Sequence, residues 1–108
     1  RENEGPWEIM QNSAGLHASC LKWLHERDVA LVGSDLALDV MPSGTEKYVL
    51  PVHLGVMVQM GSCILDCLDF RAAAKECRDR KRWEFQLMVA PLSVEGGTGS
   101  PVNPLAIF

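Results

Sequence analysis

Apolar and polar positions change rhythm several times along this chain, and each change marks an element. Leu16, Cys20, Trp23 and Leu24 recur at the spacing of one helix face, which predicts a helix ending near Arg27 and Asp28. Ser13 is its predicted N-cap, because a serine hydroxyl accepts a hydrogen bond from the first free amides of a helix. Val29-Ala30-Leu31-Val32, stopped by Gly33, is a short continuous apolar run, the pattern of a strand buried on both faces. Pro51 suits the first position of a second helix, where its missing N–H costs nothing. On that helix His53, Val56, Met57 and Met60 share a face, the two methionines as core packing, and Gly61 is a natural stop. Cys63-Ile64-Leu65 predicts another buried strand, with Asp66 at its end. Asp69 is the predicted cap of a third helix that runs to about Arg80 and turns Phe70, Ala73, Ala74 and Cys77 inward. Residues 84–92 alternate in part through Phe85, Leu87 and Val89, which predicts a strand.

The stretches between these elements are less regular. Residues 1–12 are polar and read as a loop, with Trp7 as an anchor. Residues 34–49, with the turn chemistry of Pro42-Ser43-Gly44, read as a long functional or interface loop. A glycine-rich turn from Gly96 to Pro101 precedes a last apolar segment, Leu105 to Phe108. Helices alternating with buried strands indicate an α/β layer arrangement. A length of 108 residues allows one small domain and not two.

Composition narrows the function classes. The chain is 47% apolar and 22% charged, enough to build a core and ordinary for a soluble protein. Net charge is −4, and the basic cluster Arg78, Arg80, Lys81, Arg82 is broken by Asp79 and flanked by Glu76 and Glu84. No basic stripe is available to neutralise phosphates, so nucleic acid is not an expected partner. The strongest apolar run, residues 54–65, is too short for a membrane span and contains Gln59, Gly61 and Ser62. Cys20, Cys63, Cys67 and Cys77 read as reduced thiols packed as small hydrophobes, which points to the cytoplasm.

His53 is the most informative candidate for chemistry. An imidazole on an apolar helix face must satisfy both ring nitrogens away from water or bind a metal. A core histidine bonded to backbone is the plainer reading. Asp66, at the end of the next strand, raises the other, since a short connection can bring the two side chains together as part of a metal site. His17-x-x-Cys20 and Cys63-x-x-x-Cys67 lack the spacing of zinc knuckles, and His25 belongs to the charged end of its helix. The glycine-rich turn lacks the Gly-Lys-Ser/Thr ending of a phosphate loop. Ser100 has no histidine at local spacing to activate it as a nucleophile.

Several segments, in order, carry a resemblance. They are Ala14-Gly15-Leu16-His17 through Trp23-Leu24-His25-Glu26-Arg27, then Val32-Gly33-Ser34-Asp35, Pro51-Val52-His53, Met60-Gly61 and Val89-Ala90-Pro91-Leu92. Gly96-Gly97-Thr98-Gly99-Ser100-Pro101-Val102-Asn103-Pro104-Leu105-Ala106 closes the set. Together they resemble the cyclase family of metal-dependent hydrolases, the group of the bacterial kynurenine formamidases and isatin hydrolases. The resemblance implies a swivelling β/β/α architecture, here three helices packed on a short mixed sheet. It implies hydrolysis of an amide or lactam C–N bond by a metal-activated water, with zinc or manganese as the ion.

The family's His-x-Gly-Thr-His-x-Asp signature, which supplies most of the ligands, is absent from this chain, and no catalytic residue is assigned within it. Residues 1–108 are therefore expected to be the C-terminal portion of a single domain whose N-terminal half carries the main motif. His53 matches the family's later metal histidine. The acidic ligand that follows is a Glu in formamidase-like members; here Asp66 stands one position off. Asp35 and Ser100 match positions near the site, with Ser100 expected to touch substrate. The expected partners are a small amide or lactam, the missing N-terminal half and further copies in a homo-oligomer, and the chain alone is expected to be inactive. The alternatives are a non-catalytic interaction or oligomerisation module and a binding protein for a small carbonyl compound.

Overall fold

The structure is a computed structural model that describes residue 8 and residues 11–108. Trp7 lies outside the described residues. The chain is a mixed α/β protein with three helices and short sheets, as its alternating pattern predicts. It divides into two compact units, one extending to Asp69 and the other from Phe70 to Phe108.

In the first unit, α1 (Cys20–His25) leads to β1 (Leu31–Gly33), and α2 (Pro51–His53) runs on as a π-helical turn (Leu54–Gln59) into β2 (Cys63–Leu65). Strands β1 and β2 pair in parallel, Leu31 opposite Cys63 and Gly33 opposite Leu65. The ladder continues past both strands, with the Ser34 amide donating to the Leu65 carbonyl at 2.9 Å and the Cys67 amide to Leu36 at 3.1 Å. Leu24, Leu38, Val52 and Val56 form the buried core, packed round by Leu16, Leu21, Val29, Val32, Met60 and Ile64.

Several expectations are corrected here. Ser13 does not cap a helix: it pairs with Met41 in an antiparallel bridge, and Leu16 pairs with Asp39 in a parallel one. Extended backbone from 13 to 16 delays the helix until Cys20. Gly15 permits this pairing, since a Cβ there would lie 2.4 Å from the Asp39 carbonyl carbon. Residues 34–49 are irregular, as expected of a long loop, and they bury Leu36, Leu38, Asp39 and Met41. Strand β1 is half-buried and includes Gly33, which was expected to end it.

Met57 is 48% exposed, so it is not part of the core, while Met60 packs against it. The π-helical turn explains the difference. Its wider hydrogen-bond loop, seen in the Met60 amide donating to Gly55 at 3.0 Å, rotates Met57 away from the face that a regular α-helix would give it. Gly61 ends the helix as expected, at φ 66°, with the Ser62 amide folding back to the Val56 carbonyl at 2.9 Å.

In the second unit, α3 (Arg71–Arg80) has Phe70, and not Asp69, at its capping position, without a side-chain cap hydrogen bond. Ala73 and Ala74 are half-buried and Cys77 is buried. Phe70 is 42% exposed, so it does not belong to that inward face. Strand β3 (Gln86–Met88) pairs antiparallel with β4 (Leu105–Ile107). Of the predicted 84–92 strand only these three residues pair, and all three are exposed. The four cysteines are free thiols, but only Cys77 is buried, and Cys63 and Cys67 are exposed instead of packed as small hydrophobes. Among the described residues no helix is long and apolar enough to cross a membrane.

Candidate functional site

The site begins with a problem common to all helix starts. The first amides of α2 have no partner within the helix, and Leu50, at the capping position, offers no side-chain acceptor. Asp39, from the bridged segment 13 residues earlier, fills the gap: its Oδ1 accepts the Val52 amide at 2.6 Å. Its Oδ2 accepts the His53 amide at 3.0 Å and faces the His53 ring nitrogen Nδ1 at 2.5 Å. The Asp39 side chain is fully buried.

On the other side of the ring, His53 Nε2 lies 2.9 Å from Asp66 Oδ2. Asp66 is held in turn by the Leu38 amide, which donates to its Oδ1 at 3.0 Å. Asp39, His53 and Asp66 therefore form a line of carboxylate, imidazole and carboxylate. Exposure increases along it, from a buried Asp39 through 16% for the His53 side chain to 34% for Asp66. Burial disfavours the imidazolium, but the hydrogen bonds to Asp39 and Asp66 and the charges of both carboxylates outweigh it, holding the His53 pKa above its ordinary value.

Of the residues singled out in the sequence, His53 and Asp66 are brought together. Ser100 belongs to the second unit, where its hydroxyl accepts the Leu92 amide at 3.0 Å and donates to the Pro101 carbonyl at 3.2 Å. Asp35 is exposed just after β1. His17 bonds locally, its Nδ1 accepting the Ser19 amide at 3.2 Å. Asp39 was missed. Its signal is a carboxylate set between Leu38 and Val40-Met41 with no charged neighbour, a placement that demands buried partners.

Chemically, one imidazole nitrogen and one carboxylate oxygen converging at the rim of the core suit a borderline or hard divalent ion. They fit zinc or manganese as part of a ligand set. Among the described residues no group of three or more His, Cys, Asp or Glu side chains is placed to hold a metal. A shallow groove lined by Leu21, Lys22, His25, Gly55, Gln59 and Met60 contains neither His53 nor Asp66.

No protein-family model matches the sequence, and no curated protein matches it. Among solved structures, the crystal structure of a protein described as a novel cyclase superposes with a TM-score of 0.80 and 31% sequence identity over 92% of this chain. The fold is cyclase-like. The chain spans 32% of the length of that cyclase. A cyclase-like fold is what the sequence resemblance implies of the architecture.

Proposed function

We propose that this chain is part of a cyclase-family metal-dependent hydrolase of the kynurenine formamidase and isatin hydrolase kind, acting on an amide or lactam C–N bond. The observation that carries the reading is the approach of His53 Nε2 and Asp66 Oδ2 to 2.9 Å. A divalent ion, zinc or manganese, would be held by these two side chains together with ligands from the N-terminal half of a longer protein. Bound there, it supplies the Lewis acidity that polarises a carbonyl and acidifies water.

This chain's own residues do the positioning. Asp66 is fixed by the Leu38 amide and His53 by the α2 backbone and Asp39, so both donors are ordered before any ion arrives. Ser100, by its match to the family motif, contributes to substrate binding in the same reading. The two donors alone make an incomplete catalyst, since a catalytic ion takes about three protein ligands and an open position. The test is metal content: the longer parent protein, freshly purified, should hold stoichiometric zinc or manganese, and His53→Ala should deplete it while the fold survives. Undiminished metal in that variant removes His53 from the site.

The second reading is a binding or oligomerisation module that has kept the fold and lost the chemistry. It is favoured by the lack of a third donor among the described residues and by broadly exposed apolar side chains such as Val58 and Leu92, at 72% and 63%. A parent protein purified without metal, and unable to take it up, would decide for this reading.

A further inference from the structure

Asp39 is the buried carboxylate on which the site turns. It is fully buried, accepts the Val52 and His53 amides, and faces the His53 ring nitrogen Nδ1. An ionised carboxylate only accepts hydrogen bonds, so the ring nitrogen facing it, Nδ1, must carry the proton. In the neutral imidazole that leaves the lone pair on Nε2, the atom that faces Asp66. The carboxylate cannot swing away to accept another arrangement, because its two oxygens are tied to successive amides of one helix start. Oδ2 grips backbone and ring of the same residue, which fixes the ring orientation as well as its tautomer.

We infer that Asp39 is the positioning residue of this site, selecting the Nδ1–H tautomer of His53 so that the Nε2 lone pair is presented, beside Asp66, to a divalent cation. The inference rests on the metal reading above for its purpose; the tautomer follows from the competition between two carboxylates, in which Asp39 is fully buried and 2.5 Å from Nδ1 while Asp66 is 34% exposed and 2.9 Å from Nε2. Nε2 and Asp66 Oδ2 lie at hydrogen-bond distance, 2.9 Å, so in the metal-free protein the imidazolium's proton on Nε2 bridges them; a divalent ion would displace that proton and take both lone pairs at once. Carboxylates placed behind metal-binding imidazoles act in this way, and their loss typically lowers metal affinity about 10–100-fold.

The decisive substitution is Asp39→Asn. It keeps the shape but replaces one acceptor oxygen by an NH2 donor. If that NH2 faces His53, Nδ1 must accept and the proton moves to Nε2; if it faces Val52, that amide is orphaned. Two readouts apply, both on the longer parent protein. The first is nitrogen-15 NMR of the His53 ring without metal, at a pH where the ring is neutral. The second is the affinity for zinc alone. Wild type should carry the proton on Nδ1, and Asp39→Asn should shift the ring toward the Nε2–H form and weaken zinc about 10–100-fold. A wild-type proton on Nε2, or a variant in which either readout stays unchanged, overturns the inference. If Asp39→Asn does not fold, the wild-type spectrum still decides. If wild type takes no zinc, the metal reading falls, and the role of Asp39 stands or falls on the tautomer.

Discussion

Asp39 and Val52 are 13 positions apart, and the carboxylate of the first accepts the amide of the second at 2.6 Å, inside the core. This bond joins a bridged, irregular segment to the start of the helix that carries His53, so the fold and the site share one structural element. Removing it with Asp39→Ala leaves the Val52 and His53 amides and the His53 ring without their acceptor. A buried donor left unsatisfied costs about 1–3 kcal/mol, so the variant should lose about 3 kcal/mol of unfolding free energy or fail to fold. Urea denaturation measures it; a loss below about 0.5 kcal/mol, the size of a neutral surface change, would show that water or another group replaces the carboxylate.

The metal-free protein should show a pH dependence centred on His53. Its folded pKa is raised above the ordinary value of 6.5, because the pull of two carboxylates outweighs burial. The folded state therefore binds the proton more tightly than the unfolded state. The resulting stability is fully present below the unfolded pKa and is lost as pH rises through the folded one. His53→Gln should flatten this part of the profile. Thermal midpoints collected from slightly acidic to alkaline pH, without metal, give the comparison, and equal slopes for the two proteins would mean that His53 carries no such linkage.

How much of this was legible beforehand differs by element. The strand at Cys63–Leu65 and the helix start at Pro51 were readable because each depends on local chemistry, a short apolar run and a proline without an N–H. The pairing of Ser13 with Met41 was not, since a serine before an apolar helical pattern looks the same whether it caps or bridges. His53 and Asp66 were legible as a pair because the helix and the strand that follow each other in sequence also meet in space. Asp39 was hidden for the opposite reason: its partners lie on a helix reached only after a long irregular stretch, and no local periodicity marks it.

Gly15 and Gly61 should respond differently to alanine. At Gly15 the new Cβ would lie 2.4–2.5 Å from backbone atoms of Asp39 and Val40, which cannot move without opening the bridge that positions Asp39. Overpacking of this kind costs about 1–3 kcal/mol. Gly61 has open space around its Cβ but sits at φ 66°, where a non-glycine residue loses about 1–2 kcal/mol. Both variants should therefore melt earlier, but only Gly15→Ala should also disturb the His53 ring signals in the NMR spectrum. Identical spectra for the two variants would separate the bridge from the site.

Asp66→Asn isolates the charge on the exposed side of the imidazole. Asn retains an oxygen able to accept the Leu38 amide, now at 3.0 Å from Asp66 Oδ1, so the backbone tie survives. What disappears is the anionic oxygen facing His53 Nε2; an NH2 takes its place and donates to the lone pair that a cation would need. Zinc affinity in the parent protein should fall by at least about tenfold, the lower limit seen even for groups behind the ligands, with little change in melting temperature. In the wild type, affinity should also fall on acidification, because protons compete with the ion for both donors. Wild-type affinity in Asp66→Asn would point to a different acid as ligand.

The final expectation is that these 108 residues do not turn over an amide or a lactam by themselves. His53 and Asp66 come together as two donors, and no group of three or more forms among the described residues. With about three protein ligands and an open position needed for catalysis, a two-donor site holds an ion too loosely to fix where water and carbonyl meet. Misplacement by about 1 Å can alone cost on the order of a hundredfold in rate. The chain also spans only 32% of the length of the cyclase it superposes on. Assays of the isolated chain on N-formylkynurenine and on isatin, with zinc or manganese added, should therefore match the buffer blank. Co-expression with the N-terminal half of the parent should restore hydrolysis, and His53→Ala in that pair should abolish it again. Turnover by the isolated chain at about 1 s⁻¹ or faster, the range of ordinary enzymes, would mean that its own side chains complete a catalytic site, and the division of ligands between two halves would have to be abandoned.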